Sequence, residues 1–160
     1  MSEAQPVAPP AAAGTSTRLA ALGFAAGFVA VLVFHQAMLA VLNGIGLVAR
    51  APWAMDPTKP LGVPIVISAA FWGGVWGSVF ALTVRRPVSA GRYLLAGLVF
   101  GAVLPTLVAW FVVAPLKGSP VAGGWDPSAM MVGPLVNGAW GIGTALILWL
   151  VAHRHTAARA

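Results

Sequence analysis

The sequence has no cysteine, and only three of its 160 residues are acidic. Without cysteine the chain forms no disulfide, and thiolate metal sites, cysteine nucleophiles and cysteine-ligated iron–sulfur clusters are excluded. Charged residues of both signs make up 8% of the chain, whereas about a quarter is usual for a soluble domain. Because a soluble surface needs far more charge than this, the composition indicates a membrane protein.

Apolar residues make up 59% of the sequence, and they are gathered into four long uncharged runs. A membrane-spanning helix needs about 20 such residues, so each run is long enough to be a span. We place the spans at residues 20–42, 61–84, 93–116 and 128–152. Backbone polar groups must be paired within lipid, and the runs lack the alternation of barrel strands. The predicted fold is therefore all-α, a membrane-embedded four-helix bundle.

The segments outside this transmembrane domain of residues 19–152 are short. Residues 1–18 are predicted to be a flexible N-terminal tail, and residues 153–160 a basic tail. Six basic residues lie on one side of the predicted membrane and three on the other, which predicts that both termini are cytoplasmic. The six are Arg18, Arg85, Arg86, Arg92, Arg154 and Arg159, and the three are Arg50, Lys59 and Lys117. This scatter lacks the clustered basic face of a nucleic-acid-binding protein.

An internal repeat is indicated by a gap-free shift of 70 residues. The shift pairs Asp56-Pro57 with Asp126-Pro127 and Pro64 with Pro134, and it predicts two parallel two-helix hairpin repeats. In each copy Asp is expected to cap the returning helix, with Pro at its first position. Pro64 and Pro134 are then expected to kink spans two and four just inside the bilayer.

Pairs of glycines spaced by four residues predict close helix packing in three of the spans. They are Gly23 and Gly27, Gly73 and Gly77, and Gly97 and Gly101. Trp72 and Trp76 lie one turn apart in span two, where they either fill space against these glycines or form a ridge that binds a partner.

Five polar residues lie at a similar depth in the spans, and they are the candidate binding residues. They are His35, Gln36, Ser68, Thr106 and Asn137. One interpretation is a small polar cavity in which His35 is the one titratable group. The other is a set of interhelical hydrogen bonds that holds the bundle together.

No catalytic set is visible in the sequence. The acids are Glu3 in the tail and the two expected helix caps, so the spans contain no pair of carboxylates. Haem bound through His35 would need a dimer, and His153 and His155 have no acidic neighbour with which to hold a metal. We therefore expect a protein that is not an enzyme and has neither cofactor nor metal. Its expected partners are the lipid bilayer and a second copy or another membrane protein, with no nucleic acid.

Several motifs resemble those of a family of small, uncharacterised four-span bacterial inner-membrane proteins. They are Phe34-His35-Gln36, Gly62-Val63-Pro64, Phe71-Trp72-Gly73-Gly74, the run from Leu104 to Gly118, and Asn137-Gly138-Ala139-Trp140-Gly141. The resemblance covers residues 19–152 and implies a bacterial inner membrane, but it brings no activity, ligand or partner. The sequence thus predicts a non-enzymatic accessory subunit or a lipid- or partner-binding protein. The alternative is a small transporter or channel that uses the polar layer around His35 and Asn137.

Overall fold

The computed structural model describes residues 11–84 and 89–157. Within these ranges four helices are long and apolar enough to cross a membrane. We name them span one (Gly14–Gly44), span two (Ile65–Thr83), span three (Ala90–Leu116) and span four (Pro127–His153). The described residues form no named strand, so the predicted all-α, four-helix architecture is confirmed. This is the architecture of a multi-pass membrane protein.

Spans one and three each contain a short π-helical turn. Span one consists of α1, its π-helical turn and α2, while α3 forms span two. Span three consists of α4, a second π-helical turn and α5, and α6 carries span four. The bounds are α1 Ala11–Ala30, π-helical Val31–His35, α2 Gln36–Gly44, α3 Ile65–Thr83, α4 Ala90–Val108, π-helical Ala109–Val113, α5 Ala114–Leu116, 3₁₀-helical Val121–Trp125 and α6 Pro127–Ala157.

The helices at both ends of the chain continue into segments that the sequence predicts to be tails. Helix α1 begins at Ala11 and α6 ends at Ala157, so residues 11–18 and 153–157 are helical. The rest of the predicted tails, residues 1–10 and 158–160, lies outside the described residues. Because the spans alternate in direction, the bundle has a loop end, with the connections 45–64 and 117–126, and an opposite terminal end.

Each hairpin is held by direct contact between the backbones of its two helices. A Cβ atom added to Gly27 in span one would lie 2.2 Å from the carbonyl oxygen of Gly73 in span two. In the second hairpin, a Cβ on Gly101 would lie 2.2 Å from the carbonyl oxygen of Asn137. All six glycines predicted to form packing faces lie at these two contacts, where any larger residue would push the helices apart.

Both hairpins have the same glycine contacts between their helices, but the residue shifts that relate one hairpin to the other differ from the predicted shift of 70. Gly23 and Gly97 have equivalent surroundings, which corresponds to a shift of 74 residues between spans one and three. Gly77 and Gly141 are equivalent too, which corresponds to a shift of 64 residues between spans two and four. The gap-free shift of 70 relates neither pair, because the connection 45–64 is ten residues longer than the connection 117–126. The duplication itself stays a prediction.

Span four starts as the sequence predicts. The Asp126 carboxylate accepts hydrogen bonds from the backbone N–H groups of Ser128 (2.8 Å) and Ala129 (3.1 Å), and also from the Ser128 hydroxyl. Pro127 is the first residue of α6, where it needs no donor. The predicted cap is thereby confirmed. Pro134 lies inside α6, and the kink expected there stays a prediction.

The matching prediction for span two is wrong. The helix begins at Ile65 rather than at Pro57, so Pro64 precedes it and does not kink it. The first amides of the helix are satisfied by backbone carbonyls of the connection: Ile65 donates to Asp56 (3.0 Å) and Val66 to Ala54 (3.2 Å). The connection folds back against the start of span two, and its main chain replaces the side-chain cap.

Replacing Gly27 by Ala is expected to destabilise the first hairpin. The added methyl group meets the Gly73 carbonyl at 2.2 Å, so the helices must separate at a cost of about 1–3 kcal/mol. Thermal unfolding of the detergent-solubilised protein, followed by circular dichroism, measures the change. Gly91→Ala is the control, because a Cβ at Gly91 has nothing within 4 Å. Equal melting temperatures for the two variants would contradict the packing described.

The cap of span four is expected to depend on pH. Hydrogen bonds from the Ser128 hydroxyl and from the Ala129 and Ser128 amides hold the pKa of Asp126 below its usual value of 3.8. The cap therefore stabilises the fold above the unfolded-state pKa and is lost as the pH falls through the lower folded-state value. A carbon-13 NMR titration of the Asp126 carboxyl measures this pKa. Ser128→Ala should raise the pKa, and no response to this substitution would show that the cap has been misassigned.

Candidate functional site

The connection 45–64 folds back along span one instead of passing over the end of the bundle. The Trp53 indole N–H donates to the Leu32 carbonyl (2.9 Å), and the Trp53 backbone N–H donates to the Gln36 side-chain oxygen (2.9 Å). Leu32 and Gln36 lie twelve and eight residues before Gly44, which is about 18 and 12 Å along the helix. Trp53 therefore lies beside span one, at a depth of about 12–18 Å from the loop end of that helix.

The π-helical turn in span one makes the first of these bonds available. In an α-helix the Gln36 backbone N–H would donate to Leu32, but here it donates to the carbonyls of Val31 and Val33. The Leu32 carbonyl thus lacks its usual helical donor, and such a group is costly in an apolar surrounding. The Trp53 indole satisfies it.

Trp53 adopts a left-handed backbone conformation, with φ of 50°. This conformation is strained for a residue with a side chain and persists only where the surrounding structure imposes it. The two hydrogen bonds to span one supply that constraint. They also place the neighbouring residues Arg50, Ala51 and Ala54 against spans one and two.

A small cavity lies between the folded-back connection and the two helices. Its volume is about 10 Å³, room for one water molecule. Gln36 and Leu39 line it from span one, Ile65, Val66 and Ala69 from span two, and Arg50, Ala51 and Ala54 from the connection. Arg50 is exposed, and within residues 11–84 and 89–157 no carboxylate lies within salt-bridge distance of it.

The five polar residues predicted as a layer form separate contacts. Asn137 donates to the Thr106 hydroxyl (2.9 Å), and this bond joins spans three and four at a fully buried threonine. Gln36 holds Trp53. The Nδ1 atom of His35 is buried and has no hydrogen-bond partner among the described residues. Ser68 is half-buried, and no described hydrogen bond links it or His35 to the other three.

The two hairpins meet mainly through spans one and four. The Trp140 indole N–H of span four donates to the Gly27 carbonyl of span one (2.9 Å). The Phe34 ring of span one also packs over Gly143 of span four, where an added Cβ would lie 2.3 Å from the ring. This side of the bundle is closed.

Spans two and three touch through aromatic rings from the terminal end to the middle of the bundle. Phe80 contacts Tyr93 and Phe100, with ring centroids 5.3 and 5.2 Å apart, and Trp76 contacts Phe100 at 6.1 Å. Trp76 therefore packs against span three of the other hairpin, and its predicted packing against the glycines stays a prediction. Trp72, one turn closer to the loop end, has 59% of its surface exposed.

Beyond Trp76 and Phe100, towards the loop end, no aromatic contact joins the described residues of spans two and three, and large apolar side chains of both helices are exposed. On span two, residues four, seven and eleven positions before Trp76 lie on the same face of the helix as Trp76. On span three, residues four, seven and eleven positions after Phe100 lie on the same face as Phe100. Leu104 and Leu107 are each 42% exposed, and Phe111 is 49% exposed. We call this opening the two–three cleft. Its walls are Ile65, Ala69 and Trp72 of span two, and Leu104, Leu107 and Phe111 of span three.

The small cavity lies next to the two–three cleft at the loop end, because Ile65 and Ala69 line the cavity and also lie on the span-two wall of the cleft. The resulting site has apolar walls, the side-chain amide of Gln36 and the guanidinium of Arg50. Sequence reasoning placed Gln36 among the candidates but missed Arg50 and Trp53. Their role depends on how the connection folds back, and no spacing in the sequence indicates that.

In the described part of the chain, no three His, Asp or Glu residues are grouped so that they could hold a metal ion. Comparisons with protein-family models, with curated proteins and with solved structures find no match.

Replacing Trp53 by Phe is expected to loosen the folded-back connection. An aromatic ring is kept but the donor to Leu32 is lost, which leaves a carbonyl of span one unpaired at a cost of about 1–3 kcal/mol in an apolar surrounding. Hydrogen–deuterium exchange of the segment 50–54 should become faster. Trp125→Phe is the matched control, since Trp125 also has a positive φ but lies at the other connection, where no described hydrogen bond uses its indole N–H. Unchanged exchange in Trp53→Phe would show that the indole bond does not hold the segment.

Proposed function

We propose that this chain is a non-enzymatic membrane protein that binds a lipid or a membrane partner laterally, through the two–three cleft. The observation that carries the proposal is the asymmetry of the bundle. Spans one and four close one side with a hydrogen bond and a ring over a glycine, whereas spans two and three part beyond Trp76 and Phe100. The parted walls are apolar and face the surrounding lipid.

The same proposal includes location and origin. The protein resides in a bacterial inner membrane with both termini in the cytoplasm, as the distribution of arginines in the sequence favours. The two hairpins arose by duplication. The equivalent contacts around Gly23 and Gly97, and around Gly77 and Gly141, support this origin at shifts of 74 and 64 residues.

A transport function is the second candidate, and the His35 ring supports it. Its Nδ1 atom is buried without a partner, although such atoms are normally hydrogen-bonded. A passing ion or solute, or a water that accompanies it, would satisfy this atom. The small cavity beside Gln36 is the size of one water, so this function requires the helices to move.

Purification of the whole protein in a mild detergent, followed by native mass spectrometry, tests lateral binding. We expect a stoichiometric lipid or protein partner that is lost in Leu104→Trp, because the larger ring fills the cleft. Val99→Trp is the matched control: Val99 is 55% exposed on span three, but about 140° around the helix from Leu104. Both positions are exposed, so both variants should keep the melting temperature of the parent.

Equal retention of the bound molecule by the two variants would contradict the proposal, as would a parent protein that retains nothing. Solute flux in proteoliposomes that disappears in His35→Ala, while the protein stays folded, would favour transport instead.

A further inference from the structure

We infer that Arg50 binds the phosphate of an anionic phospholipid, one acyl chain of which lies in the two–three cleft. This inference rests on the proposed lateral binding and names its occupant. It combines three observations: an unpaired cation at the mouth of the cleft, apolar walls of suitable length, and a taper that suits a flexible chain.

The charge of Arg50 is the first step. Arg50 lines the small cavity together with Gln36 and Leu39, and Leu39 lies five residues, about 7 Å, before the end of span one. The two Trp53 bonds hold the connection at this depth. An unpaired guanidinium near lipid is costly, and its planar fork of donors matches a phosphate group. Since the described residues offer it no carboxylate, the lipid phosphate is the available anion.

The length of the cleft is the second step. From Phe100, where the helices touch, to Phe111 near the loop end is eleven residues, or about 16 Å of helix. This is about half of a hydrocarbon core of about 30 Å, which is the depth of one lipid leaflet. A chain that starts at Arg50 and runs along Leu107 and Leu104 would end at the contact of Trp76 with Phe100.

The taper is the third step, and it favours a lipid over a second copy of this protein. The walls meet at Trp76 and Phe100, so a helix, at about 10 Å across, could fill the narrow end only by breaking that contact, whereas a flexible acyl chain can reach it. A second copy would also bring another Arg50 and no acidic residue within its described spans. A lipid supplies both the flexible apolar chain and the opposite charge.

Photocrosslinking of the full-length protein in nanodiscs tests the inference. The discs contain equal amounts of phosphatidylglycerol and phosphatidylcholine, and a benzophenone amino acid replaces Leu104 or, as the control, Val99. We expect lipid adducts at Leu104 that are enriched about fivefold in phosphatidylglycerol, the effect of one basic residue near the membrane surface. At Val99 the adducts should follow the bulk composition. Arg50→Gln should abolish the enrichment, whereas Lys59→Gln, an equal change of charge in the same connection, should leave it intact.

Several results would overturn the inference. A protein adduct at Leu104 would show that a second copy or another chain occupies the cleft, and the proposed lateral binding would then stand without the lipid. Equal enrichment at Leu104 and Val99, or equal loss in Arg50→Gln and Lys59→Gln, would show that the loop end attracts anionic lipid in general. If neither adduct forms at Leu104 and no molecule copurifies, lateral binding itself fails.

Discussion

Direct backbone contact at glycines is the constraint on which the rest of the bundle depends. Lipid gives helices no hydrophobic reason to associate, so close packing over a large surface must hold them together. At Gly27 and Gly101 an added Cβ atom would lie 2.2 Å from the facing carbonyl oxygen, so each pair of helices approaches this closely only with glycine there. The close approach also brings the larger side chains beyond the glycines into fixed positions, among them Trp140 and Asn137.

The two hairpins have equivalent internal contacts, but their equivalent residues make different contacts with the other hairpin. Shifts of 64 and 74 residues relate Trp140 to Trp76 and Gly27 to Gly101. Trp140 donates to the Gly27 carbonyl, but Trp76 packs on the Phe100 ring. Gly143, which receives the Phe34 ring, corresponds to Val79, a residue too large for such a contact. Small changes in side-chain size at equivalent positions therefore close one side and leave the other parted.

The sequence predicts those features that depend on residues close together in the chain. Apolar runs predict the four spans, the spacing of glycines predicts the packing faces, and Asp126-Pro127 predicts a helix start that the structure has. Asp56-Pro57 has the same two residues and starts no helix, because carbonyls of the folded-back connection satisfy the amides of span two. That folding depends on the bond from Trp53 to Leu32, 21 residues away, and on a π-helical turn that frees the carbonyl. Neither has a local signature. The site at Arg50 could not be predicted for the same reason.

The position of Arg50 follows from the way in which an apolar bundle satisfies its backbone. A π-helical turn leaves one carbonyl of span one without its helical donor, and in lipid that carbonyl must find another. The indole of Trp53 reaches it only if the connection enters the bundle, and the strained backbone at Trp53 is the conformation that allows this. Once the connection is held there, Arg50, three residues earlier, lies beside spans one and two. A requirement of the main chain thus places the charged Arg50 next to the two–three cleft.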